Sequence, residues 1–237
     1  MKPVIENIYA VSGLIIGRVY VIKGQDGLTV IDSSVAANTA DKLEKQLQAI
    51  GFSLKDVRYI LITHAHPDHI GGLVRLQQLT DARTAVHFRD ADIIRGKYAA
   101  PVAPPADLGF FGKLMRKMAG SAPPPSPARV DMELKGGDHL DDILPGLEVI
   151  ELHGHSEGQV GYWWPEKRLL IGGDVMMRMP WGLTQPLGFV SPDIAEARRS
   201  IHKVAAMDVD VLCLGHGAPL VGHASEAIRA FAAGVKP

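Results

Sequence analysis

Apolar residues along the chain follow two rhythms. Short runs rich in Val and Ile recur as IYAV, LIIGRVYVIK and LTVID, then RYILIT and TAVHF, then LEVIELHGH, QVGYWW, RLLIGGD and VDVLCL. Runs of this length and composition predict strands, with Gly24 to Gly27 as a turn between two of them. Between the runs the period lengthens. Residues 36–50 place Ala36, Ala40, Leu43, Leu47 and Ile50 on one face, which predicts an amphipathic helix that Gly51 ends. DIAEARRSIHKVAA and SEAIRAFAAG predict two more helices, and RDADIIRG a short one. ILITHAHPDHIGGLVRLQQL reads as strand, loop, helix. Strands come early and late with helices interspersed, which predicts an α/β sandwich folded as one domain over residues 1–237.

Residues 97–130 interrupt the alternation. Seven of the sixteen prolines lie between Pro101 and Pro127, and between two proline clusters sits LGFFGKLMRKMAG. A long irregular insertion in a compact domain is usually functional or disordered. Phe111, Leu114 and Met115 fall at i, i+3 and i+4, so with Phe110 they predict an apolar helical face. Such a face is expected to cover a binding pocket as a lid, or to meet a second copy of the chain in a homodimer. Lys113, Arg116 and Lys117 are expected on the other side.

Composition narrows the function. The chain has 237 residues, 46% hydrophobic and 22% charged, enough for a sizeable core. With 25 basic and 26 acidic residues and no long basic run, no nucleic-acid partner is expected. The single cysteine, Cys213, sits inside VDVLCL, so a buried strand thiol is expected and no disulfide within the chain. MKPVIENIYAVSG lacks the layout of a signal peptide, and no run approaches the roughly 18 apolar residues of a membrane span. A soluble, cytoplasmic protein is expected.

The chemistry is concentrated in THAHPDHIGG. His64, His66, Asp68 and His69 crowd a loop at a strand end, with Pro67 stiffening it and Gly71-Gly72 letting a helix start close by. A helix cap would explain Asp68 and leave three histidines unexplained. Imidazoles and a carboxylate suit zinc, iron and related metals. Three further strand ends carry matching donors in glycine-containing turns: His155, Asp174 and His216. His153 is expected beside the site or on the surface, and His87, His139, His202 and His223 are expected to be ordinary surface or strand-end residues. Met176, Met177 and Met179 are expected in packing. Arg178 and Trp181 follow Asp174 closely and are weighed evenly between pocket wall and plain structure.

These motifs resemble the metallo-β-lactamase-fold hydrolases. The H-x-H-x-D-H signature appears as His64, His66, Asp68 and His69, followed by G-H-S, G-G-D and G-H-G elements with His155, Asp174 and His216. LTVIDSS, with Asp32 at its turn, resembles the family's first αβ unit, and the likeness runs from about Asn7 to about Leu220. The resemblance implies a four-layer αββα sandwich. It implies that His64, His66 and His155 hold one metal, that Asp68, His69 and His216 hold a second, and that Asp174 bridges them. Two divalent ions are expected, Zn2+ first, with Fe or Mn as alternatives. A metal-bridging hydroxide would attack a small, partly apolar ester, thioester, lactone or amide, with Asp68 as catalytic proton shuttle. Met177 stands where lactone-cleaving relatives carry a tyrosine. A mononuclear iron persulfide dioxygenase and an RNA-processing nuclease of the same fold are the competing functions.

Overall fold

Alternate residues of the predicted strands enter different apolar clusters, and this period of two builds the layers. The computed structural model describes residues 1–119 and 123–236; residues 120–122 of the insertion lie outside the described residues. The first sheet contains β1 (Lys2–Ile5), β2 (Ile8–Ala10), β3 (Tyr20–Lys23), β4 (Leu28–Ile31), β5 (Val57–Leu61), β6 (Arg83–His87) and β7 (Met132–Leu134), adjacent in sequence order. Pairing is antiparallel from β1 to β4 and parallel from β4 to β7. The second sheet contains β8 (Glu148–Glu151), β9 (Val160–Trp164) and β10 (Leu169–Ile171). After a separate hairpin of β11 (Met177–Met179) and β12 (Gly182–Thr184) it adds β13 (Val211–Cys213) and β14 (Leu220–Val221). Its order is β14-β13-β10-β9-β8.

Helices α1 (Thr39–Gln48), α2 (Pro67–Ile70), α3 (Leu73–Leu79), α4 (Ala91–Ile94), α5 (Phe110–Ala119), α6 (Ile194–Ala205) and α7 (Ala224–Ala232) complete the chain. Three interfaces hold the layers together. Leu43 and Leu47 of α1 and Leu73 and Leu76 of α3 pack on Val30 and Ile60 of the first sheet. Ile31 and Leu61, one residue further along each strand, face Val149, Tyr162 and Leu169 of the second sheet. Leu170 and Leu212 turn away from that interface and meet Ile201 and Val204 of α6 and Ile228 of α7. Each such fully buried aliphatic side chain contributes about 1.5–3 kcal/mol. The result is the expected αββα sandwich.

Two elements are shorter than the sequence predicts. Helix α1 ends at Gln48, and Ile50 is exposed because Gly51 turns the chain away at φ +83°. In LIIGRVYVIK only Tyr20–Lys23 is strand. The preceding stretch is a loop: Gly17, at φ +72°, lies so close to the Asp68 carbonyl that a Cβ would collide with it. Among the described residues no helix is long and apolar enough to cross a membrane.

Topology brings the functional ends together. Strands β4, β5 and β6 run parallel, so their C-terminal ends share an edge. Strand β10 is parallel to β13 and antiparallel to β9, which is antiparallel to β8. Thus β8, β10 and β13 also end on one edge of the second sheet.

Candidate metal centre

Each expected donor sits just past one of those strand ends. His64 and His66 follow β5, Asp68 and His69 lie on α2, His155 follows β8, Asp174 follows β10 and His216 follows β13. The structure brings all seven together. His64, His66 and His155 place donor atoms within 4.8 Å of one another, as do His64, His69 and Asp174, and Asp68, His69 and His216. Asp174 is central: its carboxylate lies 3.4 Å from His69 Nε2, 3.5 Å from His155 Nε2 and 3.1 Å from His216 Nε2. His66 Nδ1 is 3.0 Å from His155 Nε2, and Asp68 Oδ2 is 3.1 Å from His216 Nε2.

Other polar residues aim these donors. Asp32, held at φ +61°, accepts from His69 Nδ1 at 2.7 Å and from Thr63 N and Oγ1, both at 2.8 Å. Because the Thr63 hydroxyl proton goes to Asp32, its oxygen accepts from His64 Nδ1 at 3.1 Å. Ser191 gives its proton to the Leu187 carbonyl and accepts from His155 Nδ1 at 2.9 Å. Each arrangement puts the hydrogen on Nδ1 and frees Nε2 for the centre. Asp90 is buried and accepts from Ala65 N, Ser156 Oγ and Gly158 N, pinning the His66 loop to the His155 loop. Gln159 Oε1 accepts from Asp174 N. Gly215 packs so tightly on Asp174 and His69 that a Cβ would overlap both. Sequence reading marked Asp32 but missed Thr63, Asp90, Gln159 and Ser191: the contacts of Thr63 with Asp32, of Asp90 with Ala65, Ser156 and Gly158, and of Ser191 with His155 each join positions 25 or more apart, and that of Gln159 with Asp174 spans 15.

Electrostatics divides the histidines. Burial holds His64 well below the ordinary histidine value, and burial with the neighbouring His155 lowers His66 to about 3. Burial likewise lowers His155 to about 4, against the pull of Asp174. For His69 burial works the other way from the outcome: Asp174 and Asp32 overcome it and raise the pKa well above 6.5. His216 is raised to about 9, hydrogen bonds to Asp174 and Asp68 outweighing burial. Burial opposes ionisation of Asp68, yet His216 and His69 hold its carboxyl at about 2.

A cation fits this set. Nε2 of His64, His66 and His69 and Oδ1 of Asp174 are buried and hydrogen-bond to nothing among the described residues. An orphaned buried polar atom costs about 1–3 kcal/mol. Four in one cluster of imidazoles and carboxylates are the signature of metal ligands.

A cavity of about 1250 Å³ opens over the centre, lined by His66, Asp68, His155, Asp174 and His216. Met177, Met179, Leu187, Phe189 and Val190 form an apolar wall, so two of the methionines do more than pack. The insertion covers part of the opening through Val102, Arg116 and Pro123 to Pro125. Its helix is present, but its phenylalanines do not turn to the pocket as the lid alternative required. Phe110, Phe111 and Leu114 are exposed, whereas Arg116 lines the cavity. Arg178 binds the carbonyls of Ala218 and Pro219, and Trp181 stands in solvent.

Fold and site define a class, the α/β-sandwich proteins with a histidine and carboxylate centre at a strand edge. The metallo-beta-lactamase superfamily matches residues 13–216, and the chain belongs to it. It is 28% identical over 198 residues to the probable metallo-hydrolase YflN of Bacillus subtilis (strain 168), covering 75% of this chain and 70% of that one. It is also 28% identical to the hydroxyacylglutathione hydrolase of Cereibacter sphaeroides, over 83% of this chain and 62% of the relative. Among solved structures, the fold matches a metallo-beta-lactamase family protein of Thermus thermophilus at TM-score 0.72, with 20% identity, covering 98% of this chain and 80% of that one. It matches BJP-1, a subclass B3 metallo-beta-lactamase of Bradyrhizobium japonicum, at TM-score 0.69 and 24% identity, covering 99% and 89%. The chain is an enzyme, a metal-dependent hydrolase, and its fold implies divalent metal ions.

Proposed function

We propose that the seven donors hold two zinc ions and that the chain hydrolyses an ester, thioester, lactone or amide bond in a small, partly apolar substrate. His64, His66 and His155 would hold one ion, Asp68, His69 and His216 the other, with Asp174 between them. The observation that carries this reading is the set of orphaned donor atoms beside a largely apolar cavity, which two of their residues, His66 and Asp174, line. Bound cations supply a water of lowered pKa and a Lewis acid for the scissile carbonyl.

The chain's own residues do the rest. Asp68 is the most exposed carboxylate of the centre, at 26%, and is kept ionised by His216, so it can accept a proton from the cavity side. The apolar wall binds the substrate body and excludes water. Arg75 and Arg116 also line the cavity, and Arg116 Nε is buried with no hydrogen-bond partner among the described residues. This favours a substrate that carries a hydrogen-bond acceptor or negative charge away from the cleaved bond. Cys213 is buried in the sheet and burial pushes its thiol up, so it is no nucleophile.

The test joins elemental analysis with a panel of lactones, thioesters and phosphodiesters. Two tightly held zinc ions per chain are expected, with turnover on the first two substrate classes. Asp68→Asn should lower kcat by about 10²–10⁴-fold with KM little changed. Unchanged turnover in a fully metallated variant refutes the role of Asp68.

A further inference from the structure

A second group of donors stands apart from the seven. His87 ends β6 in the first sheet, Glu151 ends β8 in the second, and His153 follows two residues later. His87 is a strand-end residue as expected, but it is fully buried. Its Nε2 lies 3.3 Å from Glu151 Oε1, and His153 Nε2 lies 3.4 Å from Glu151 Oε2. The three donor atoms lie within 4.8 Å of one another, and the two rings are 5.1 Å apart.

Three features mark this as more than a hydrogen-bonded trio. Both ring nitrogens of His153 are buried and hydrogen-bond to nothing among the described residues, an expensive arrangement for an imidazole. The two nitrogen–oxygen separations exceed the usual N–H···O distance of about 2.9–3.0 Å. They match the edge of about 3.3–3.4 Å that separates tetrahedral ligands bound to zinc at about 2.0–2.1 Å. Comparable separations, 3.4 and 3.5 Å, occur around Asp174. Finally, among the described residues the two imidazoles are the only basic side chains paired with the Glu151 carboxylate; Lys203 Nζ goes instead to the Glu151 carbonyl.

We propose that His87, Glu151 and His153 form a further divalent-cation site, suited to zinc, with two nitrogens and a carboxylate from the chain. Water completes the coordination on the side where Glu151 is exposed. The site ties β6 to β8 across the two sheets and braces the segment that leads to His155. It binds more weakly than the main centre. Among the described residues His153 Nδ1 has no acceptor, and His87 Nδ1 faces the Arg89 N–H at 3.4 Å, where a ligand imidazole needs an acceptor. Lacking such partners costs about 10–100-fold in metal affinity.

Equilibrium dialysis of the full chain against buffered free Zn2+, with bound zinc read by elemental analysis, tests the proposal. At saturating zinc, Glu151→Gln and His153→Asn should each bind one zinc fewer than the parent. The tightly held fraction should be unchanged. Zinc added beyond that fraction should raise the Tm of the parent and of neither variant. Equal stoichiometry in the parent and Glu151→Gln overturns the site. Glu151→Gln keeps shape at a partly exposed position, so it decides the matter even if His153→Asn does not fold. The readout is a difference between proteins, so it stands whether the main centre takes one ion or two.

Discussion

The seven-donor centre and the insertion at 97–130 both stood out in the sequence, yet the structure treats them differently. In the centre the buried histidines are held by fixed partners: Asp32 for His69, Thr63 for His64, Ser191 for His155. The strands that carry them are locked between buried layers. In the insertion, Phe110 is 87% and Phe111 71% exposed, and the face turned toward the cavity carries Arg116 instead. Directional hydrogen bonds overdetermine the first region. Apolar contact is non-directional, so an amphipathic helix can turn either face inward when its pocket also offers polar groups.

That contrast is sharpened most by pH. In the metal-free chain His216 is held at about 9 and His69 is also raised, so both carry protons at neutrality. A cation must displace the His216 proton below pH 9. Apparent metal affinity should therefore fall by about tenfold per pH unit for that proton, roughly a hundredfold from pH 9 to 7. The metal-free chain should show the opposite trend. Its raised histidine pKa values stabilise the fold fully below about 6.5, and that contribution is lost as pH rises through about 9. Competition with a metal-buffering chelator, alongside melting of the metal-free protein, reads both slopes. A pH-independent affinity would break the assignment of His216 as a ligand.

A smaller effect is expected from the partners that aim the donors. Ser191→Ala removes the acceptor of His155 Nδ1 while leaving all seven donors in place. Metal affinity should drop by about 10–100-fold without loss of the fold. Unaltered zinc affinity would mean that packing alone orients His155.

The smallest effect should come from the insertion. Replacing residues 101–127 by a short Gly/Ser linker should leave the main centre metallated. KM should rise several-fold for bulky apolar substrates and less for small ones, a scale set by roughly 1 kcal/mol of lost contact. Metal loss in that variant would erase the contrast between the regions, since the insertion would then belong to the core.

Much of this molecule could be read from its residues in order. The Val- and Ile-rich runs LTVI and RYIL marked strands, and the structure divides them, with Val30 and Ile60 in one layer and Ile31 and Leu61 in the other. Donor types crowded at strand ends exposed the centre, because few structural roles call for three histidines and an aspartate in six positions. What periodicity cannot encode is which strand ends become neighbours. His64 meets Asp174, and Asp68 meets His216, only because β5 and the pair β10–β13 end on facing edges of two sheets. The same long-range pairing joins Asp90 to Ser156 and His87 to Glu151, residues with no local motif. Local pattern reports which face of each element is apolar; the partners across a layer are chosen by the packing of the whole chain, and there the tertiary structure alone decided.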